Sequence, residues 1–132
     1  MAAIKQFTVQ TRSRVQFVNI DHEVQKAIDE SGIRDGVCAV FVPHTTAAVT
    51  INENADPDVV RDIINELDKV IPLSDNYHHS EGNSAAHIKS SLIGASETIL
   101  VENGRLALGT WQSIFFCEFD GPRNRRVFVK VI

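Results

Sequence analysis

The C-terminal quarter of the chain, from Glu97 to Ile132, consists almost entirely of strand signals, and this constrains the fold more than any other feature. The segments ETILVEN, RLALGT, WQSIFFCEF and RVFVKVI are rich in β-branched and aromatic residues. Turn signals at Asn103-Gly104 and Gly121-Pro122 separate some of them, so the strands are expected to run mainly antiparallel. Because strands and helices do not alternate along the chain, an α+β fold is favoured over a doubly wound one.

The N-terminal half supplies further strands and a first helix. IKQFTVQT alternates apolar and polar residues, as a half-buried strand does. The segment DHEVQKAIDESGI predicts a helix with Asp21 as its N-cap and Gly32 at its C-terminal end. Val37–Val42 (VCAVFV) is continuously apolar, which predicts a strand covered on both faces.

Two more helices are predicted in the middle of the chain. DPDVVRDIINELDKVI begins with a natural N-cap, Asp56, and a proline at the first helical position, Pro57. Its apolar residues fall on one helical stripe. SAAHIKSSLIG predicts a shorter helix that ends at Gly94. We therefore predict a single α+β domain over residues 1–132 with about three helices.

Composition restricts the partners. The chain has 132 residues and a formal net charge of −4, which argues against nucleic acid or an anionic membrane as a partner. No apolar run approaches membrane-spanning length, and the first twelve residues alternate rather than form a signal peptide. Cys38 and Cys117 both lie in apolar segments, where reduced core thiols are the favoured interpretation. A cytoplasmic protein is expected.

Three histidines are the main candidates for chemistry. His79 and His87 belong to the segment NYHHSEGNSAAH, which leads into the third predicted helix, and His44 begins the predicted strand HTTAAVTI. Neutral imidazole is the commonest nitrogen ligand for zinc-like ions, and a catalytic metal takes three protein ligands. The spacing does not force the ligands to converge, so two hydrogen-bonded surface histidines are the alternative. Predicting HTTAAVTI as a strand places small residues, Thr46, Ala48 and Thr50, on one face, which leaves room for a ligand.

Two acidic residues and a glutamine are further candidates for a role in catalysis: Glu53, Glu118 and Gln112. Glu53 lies at a strand end and has no capping role, so it is the best candidate for a general base. Glu118 lies in an apolar strand and needs a partner if it is buried. Gln112 lies an even number of residues before Glu118, so both side chains would point to the same side of the strand. The alternative is that Glu118 lies on an edge strand and faces water.

Anion-binding groups are also present. The helix start at Asn83 could bind an anion through backbone N–H groups, with plain capping as the alternative. The segment GPRNRRV offers Arg123, Arg125 and Arg126, which are either solvent-facing turn residues or a phosphate clamp.

These motifs together resemble one known family. HTTAAVTINENADPD, HSEGNSAAHIKSSLIG and GRLALGTWQSIFFCEFDGPRNRRV are similar to the YjbQ family, also called secondary thiamine-phosphate synthases. The resemblance implies an α+β sandwich that assembles as a homotrimer. It implies a pocket at His44, His79 and His87, with members that resemble metal binders there. It also implies that a second group of residues lies near the pocket: Glu53, Gln112 and Glu118.

The resemblance also carries an expected function. Members show a weak ability to replace thiamine-phosphate synthase, which joins a pyrimidine pyrophosphate to a thiazole phosphate. We therefore expect a small-molecule enzyme with a zinc-like divalent metal on the three histidines and a small phosphorylated metabolite as ligand. Glu53, Gln112 and Glu118 are the expected catalytic residues, and the expected substrate contacts are Thr46, Asn83 and Arg123.

Three hypotheses compete at this point. Diphosphate departure usually relies on Mg²⁺ held by oxygen ligands, whereas histidine sites suit zinc-like ions and hydrolysis. The first hypothesis, an enzyme, therefore includes a metal-assisted hydrolase of a phosphorylated metabolite as an alternative to the synthase. The second is a non-catalytic trimer that binds a metabolite or a metal, and the third is a purely structural or interaction protein.

Overall fold

The computed structural model describes residues 3–132. Within that range the chain forms an α+β fold of eight strands and three helices. None of the described helices is long and apolar enough to cross a membrane. The strands are β1 (Lys5–Gln10), β2 (Gln16–Asn19), β3 (Gly36–Phe41), β4 (Ala47–Glu53), β5 (Ser96–Glu102), β6 (Arg105–Leu106), β7 (Gln112–Glu118) and β8 (Asn124–Val131). The helices are α1 (Asp21–Ser31), α2 (Pro57–Val70) and α3 (Ser84–Ile93).

The strands form two antiparallel sheets. The large sheet has the order β1-β8-β3-β5-β6, and the small sheet has the order β2-β7-β4. All the strand pairings are antiparallel, as the C-terminal turn signals predicted. Asn103 and Gly104 both adopt positive φ in the turn between β5 and β6, which is the conformation that a two-residue hairpin of this sequence favours.

The main core lies between the two sheets and includes α1. It combines large-sheet residues such as Val40 and Val129 with Val49 and Phe116 of the small sheet and Ile28 of α1. A second cluster lies on the other face of the small sheet, where Phe115 and Cys117 pack with Ala86 of α3. Strand β7 therefore has both faces covered, which explains its run of consecutive apolar residues.

Strand β3 differs from its prediction. Its burial alternates, with Cys38 and Val40 in the core and Val37 and Phe41 exposed. The continuously apolar sequence indicated a strand covered on both sides, but neither helices nor the small sheet cover the outer face of the large sheet. That prediction is wrong because the cover was assigned from composition alone.

Helix α2 follows its predicted capping signals, whereas α1 differs from its prediction at the N-terminus. Helix α2 begins at Pro57, and the Asp56 side chain accepts a hydrogen bond from the Asp58 backbone N–H at 2.9 Å. Its apolar stripe packs on the second cluster through Val60 and Leu67, although no residue of α2 is fully buried. Helix α1 starts at Asp21 itself, with Ile20 in the N-cap position, so Asp21 is not the N-cap that the pattern predicted.

Candidate functional site

A groove of about 500 Å³ opens where three segments meet. These segments are the loop between β3 and β4, the loop and first turns of α3, and the turn between β7 and β8. We call it the histidine groove, and its lining residues are Pro43, His44, Thr45, Thr46, His79, Glu81, Asn83, His87, Asp120, Arg123 and Arg125. All three histidines singled out in the sequence therefore share one surface, together with Thr46, Asn83 and Arg123.

The three imidazoles make different contacts. The rings of His79 and His87 meet edge to face, with centroids 5.5 Å apart and an interplanar angle of 90°. His79 Nε2 lies 3.8 Å from a carboxylate oxygen of Glu81. His44 Nε2 accepts a hydrogen bond of 2.9 Å from the backbone N–H of Arg126 on β8.

This geometry does not fit a three-histidine metal centre. A ligating nitrogen must present its lone pair to the metal, and the lone pair of His44 Nε2 is already used by Arg126. Within residues 3–132, no group of three or more His, Cys, Asp or Glu side chains is arranged to hold a metal ion. The predicted three-histidine metal-binding pocket at His44, His79 and His87 is therefore not supported by this structure. The zinc-like ion as a cofactor stays a prediction.

The electrostatic environment of His44 is positive. Burial lowers its pKa below the ordinary value, and the nearby charges of Arg125 and Arg126 lower the pKa further, while Glu118 acts in the opposite direction. The imidazole is thus held neutral next to two guanidinium groups. Those guanidinium groups favour a negatively charged neighbour rather than a cation.

Arg125 is fixed by a buried ion pair with Glu118. Its Nε donates to Glu118 Oε1 at 2.8 Å, and its Nη2 donates to Thr46 Oγ1 at 2.8 Å. Glu118 is completely buried and also accepts from the Thr11 hydroxyl and the Asp120 backbone N–H. Burial opposes ionisation of Glu118, but the hydrogen bonds from Arg125, Asp120 and Thr11 outweigh it, so the pKa of this carboxyl is lowered.

These contacts determine what Glu118 and Thr46 present to the groove. The Glu118 carboxylate faces Arg125 from behind and is not among the groove-lining residues. Thr46 lines the groove but is buried, and its hydroxyl accepts from Arg125. Both residues orient a guanidinium group in this structure. Their assignment as a catalytic and a substrate-binding residue stays a prediction.

A second arginine lies at the mouth of the groove. Arg123 is exposed, and its guanidinium Nη2 donates to Asp120 Oδ2 at 3.0 Å. Asn83 Nδ2 donates to the same carboxylate oxygen at 3.0 Å. Asp120 therefore links the turn after β7 to the start of α3, where Asn83 occupies the N-cap position without making a side-chain cap bond.

Glu53 of β4 and Gln112 of β7 lie at the end of these two strands that is remote from the histidine groove. They pair with each other at one end of the β4–β7 ladder, and Ala47 pairs with Glu118 at the other end. Six residues of extended strand separate the two ends by roughly 20 Å. Gln112 is exposed and accepts a hydrogen bond from the Gly109 N–H. A single chain does not bring Glu53 or Gln112 to the histidine groove, and their catalytic assignment stays a prediction.

The small face predicted next to His44 is not an open pocket floor. Strand β4 begins only at Ala47, and Ala48 is fully buried in the second cluster with Ala86 of α3. Helix α3 thus covers the space that the small residues leave. Cys38 and Cys117 are free and buried, as predicted. Burial raises the pKa of the Cys38 thiol to about 11 and also raises that of Cys117, so neither is suited to act as a nucleophile.

The sequence analysis missed three residues: Asp120, which lines the histidine groove, and Ser90 and Ser91, which follow His87 on α3. Asp120 bridges Arg123 and Asn83, and its only signal is an acidic residue three positions before an arginine in a turn. Ser90 and Ser91 lie three and four residues after His87, so they share its side of α3. The spacing in HIKSS predicts that these side chains share one face of the helix, but it does not predict that this face borders a cavity.

The fold and the groove have close counterparts among known proteins. Residues 5–132 match the family model described as UPF0047 protein YjbQ-like. The chain belongs to the YjbQ/UPF0047 family. Its relatives include the UPF0047 protein MJ1081 of Methanocaldococcus jannaschii, 54% identical over 96% of this chain and 91% of the relative. Another is the UPF0047 protein YugU of Bacillus subtilis, 49% identical over 98% of each chain.

Solved structures support the same fold. A YjbQ/UPF0047 family protein from Clostridium acetobutylicum superimposes with a TM-score of 0.96 at 59% identity, covering 97% of this chain and 99% of the other. A YbjQ-like protein of unknown function from Sulfolobus solfataricus gives a TM-score of 0.94 at 32% identity, with 99% and 96% covered. The α+β fold that the resemblance implied is therefore confirmed.

The expected enzyme activity is not confirmed. These relatives are described as UPF0047 proteins or as a protein of unknown function, and none of these descriptions names thiamine-phosphate synthase. Together with the missing metal-ligand arrangement within residues 3–132, this contradicts the predicted function. The prediction of a metal-bearing thiamine-phosphate synthase is wrong, and so is its alternative of a metal-assisted hydrolase.

Proposed function

We propose that the histidine groove binds a small phosphorylated molecule directly through the chain's own side chains. The observation that carries this proposal is the position of Arg125, a buried guanidinium group at the groove wall. Its Nε and Nη2 are occupied by Glu118 and Thr46, whereas no described residue accepts a hydrogen bond from its Nη1. A preorganised guanidinium nitrogen is a strong donor to a phosphoryl oxygen.

Neighbouring groups support the same ligand. Arg123 adds a second, exposed guanidinium group at the mouth. Helix α3 begins at Ser84, next to the groove, and the first N–H groups of a helix favour a negative group. Burial is the main cause of the lowered pKa of His44, and the further lowering by the charges of Arg125 and Arg126 agrees with guanidinium groups close to the groove.

The acidic side chains limit how strongly the groove attracts an anion. Glu81 and Asp120 also line it, Asp120 pairs with Arg123, and Glu118 pairs with Arg125 from behind the groove wall. Imidazole gains a positive charge near neutral pH, and a bound phosphoryl group favours that charged form. We therefore expect the histidines to respond to the ligand through their own charge.

A titration followed by NMR tests the proposal. Adding inorganic phosphate at neutral pH should shift the imidazole resonances of His79 and His87 saturably and leave His22, which is outside the groove, unchanged. Arg123→Gln should weaken phosphate binding about tenfold, because it removes one charge-assisted hydrogen bond.

Arg105→Gln is the matched control, since this arginine lies on β6 and does not line the groove. Equal losses in the two variants, or shifts that never saturate, would show that phosphate meets only general surface charge.

The cellular location belongs to this proposal as well. Both cysteines are free and buried, as is usual in a reducing compartment. We therefore propose a cytoplasmic protein whose ligand is a small metabolite rather than a nucleic acid or a membrane.

A further inference from the structure

A second cavity of about 490 Å³ adjoins the histidine groove. The two cavities share His44, Thr45 and His87, so these residues stand between them. We call the second cavity the serine lobe, after Ser90 and Ser91 of α3 in its wall. Apart from the shared imidazoles, its lining contains only small uncharged residues, whereas arginines and carboxylates line the histidine groove.

The two serine hydroxyl groups of the serine lobe already donate hydrogen bonds to backbone carbonyl groups. Ser90 Oγ donates to the Thr45 carbonyl oxygen at 2.5 Å, and Ser91 Oγ donates to the His87 carbonyl oxygen at 2.8 Å. Each hydroxyl has one hydrogen to donate, so neither has a donor left for a ligand. The lobe therefore offers small, uncharged surface whose serine hydroxyl groups have no hydrogen left for a ligand. A charged group would lose more hydration there than it regains.

His44, at the junction of the two cavities, does have a hydrogen-bond donor that is free for a ligand. Its Nε2 accepts from the Arg126 N–H, which assigns the proton of the neutral ring to Nδ1. No side chain or carbonyl group of the described residues accepts a hydrogen bond from Nδ1. The junction between the two cavities thus carries a donor held by a backbone contact and available to a ligand oxygen.

We infer that the ligand is a phosphate monoester of an uncharged organic group, bound across both cavities. This inference rests on the proposed function and adds the class of ligand. The phosphoryl oxygens face Arg125 and Arg123 in the histidine groove. The ester oxygen accepts from His44 Nδ1–H, and the organic group lies in the serine lobe against Ser91 and Ala95.

Two probes separate the cavities: inorganic phosphate, which needs only the histidine groove, and phenyl phosphate, which needs both. On the wild-type protein, phenyl phosphate should bind roughly tenfold more tightly by calorimetry, the gain from covering about 55 Å² of apolar surface. Ser91→Phe fills the serine lobe from an exposed helix position. It should remove this tenfold preference while leaving the affinity for inorganic phosphate unchanged.

Leu92→Phe is the matched control, because Leu92 is exposed beside Ser91 but does not line the lobe. It should leave both affinities as they are. Ala95→Phe fills the lobe from the other side and repeats the test if Ser91→Phe fails to fold.

The outcomes distinguish this inference from the proposed function. Inorganic phosphate that binds while phenyl phosphate binds no more tightly would overturn the inference and leave the proposed function intact. A preference for phenyl phosphate that survives both lobe-filling variants would also overturn it. If neither probe binds, the proposed function fails and the inference fails with it.

Discussion

The two ends of the β4–β7 ladder carry acidic side chains in opposite situations. At the groove end, Glu118 is buried and paired with Arg125, and further hydrogen bonds come from Thr11 and Asp120. At the far end, Glu53 is half-buried and makes no ion pair with any described residue, and Gln112 is exposed. The groove end is thus rigidly specified, whereas the far end is loosely held.

This difference shows that the side-chain hydrogen bonds of the ladder are concentrated around the buried charge at the groove end. A buried charge must be paired and hydrogen-bonded, so the Glu118–Arg125 pair restricts every neighbouring strand and turn. The same contacts fix the orientation of the Arg125 guanidinium group at the groove wall. A residue at the far end is free to change without consequences for that guanidinium group.

The largest expected effect comes from breaking the buried pair. Glu118→Ala leaves Arg125 buried without its counter-charge, which should lower the free energy of unfolding by about 3–5 kcal/mol. Glu53→Ala at the other end of the ladder should change it by less than about 0.5 kcal/mol. Urea denaturation of both variants gives the comparison, and similar losses would mean that the two ends do not differ in stability.

The pH dependence of the same measurement sharpens the result. The pKa of Glu118 is lowered in the folded state, so its stabilising contribution is present above the ordinary value of 4.5. It is lost as pH falls below that value towards the folded-state pKa. The wild-type advantage over Glu118→Ala should therefore be constant near neutrality and shrink in acid.

A smaller effect is expected from glycines near the two ends. A Cβ added at Gly121 would lie 2.3 Å from the Ser13 carbonyl oxygen and 2.8 Å from Glu118 Cγ. Gly121→Ala should therefore cost about 1–3 kcal/mol, as overpacking usually does. A Cβ at Gly109 would meet only the flexible Gln112 side chain, at 3.2 Å, so Gly109→Ala should be nearly neutral in the same denaturation experiment. A neutral Gly121→Ala would show that the groove end is not closely packed.

Local signals in the sequence predicted much of the fold. Helix α2 begins where Asp56 and Pro57 indicated, and Gly32 takes the left-handed conformation expected after α1. These features depend on neighbouring residues alone. Two predictions failed: that both faces of β3 are covered, and that the face of β4 at Ala48 is open. Both depended on which distant element packs against the strand, and the period of a strand carries no information about that.

The candidate site shows the same division. The sequence analysis grouped His44, His79 and His87, and all three line one groove, while their roles stay a prediction. It failed on the direction of the rings, because Arg126, a residue 82 positions along the chain, determines which nitrogen of His44 is occupied. Residue type and order therefore predicted the location of the surface but not its chemistry.

The smallest expected effect concerns the far end and the ligand. Glu53→Gln and Gln112→Ala should leave phosphate affinity unchanged, because roughly 20 Å of strand separates them from the groove within one chain. Calorimetry with inorganic phosphate measures this directly, with Arg123→Gln as the variant that does weaken binding. A clear loss in either far-end variant would require those side chains to reach a groove from another copy of the chain. The homotrimer implied by the family resemblance offers that arrangement, and sedimentation of the same samples would show whether the loss follows the assembly.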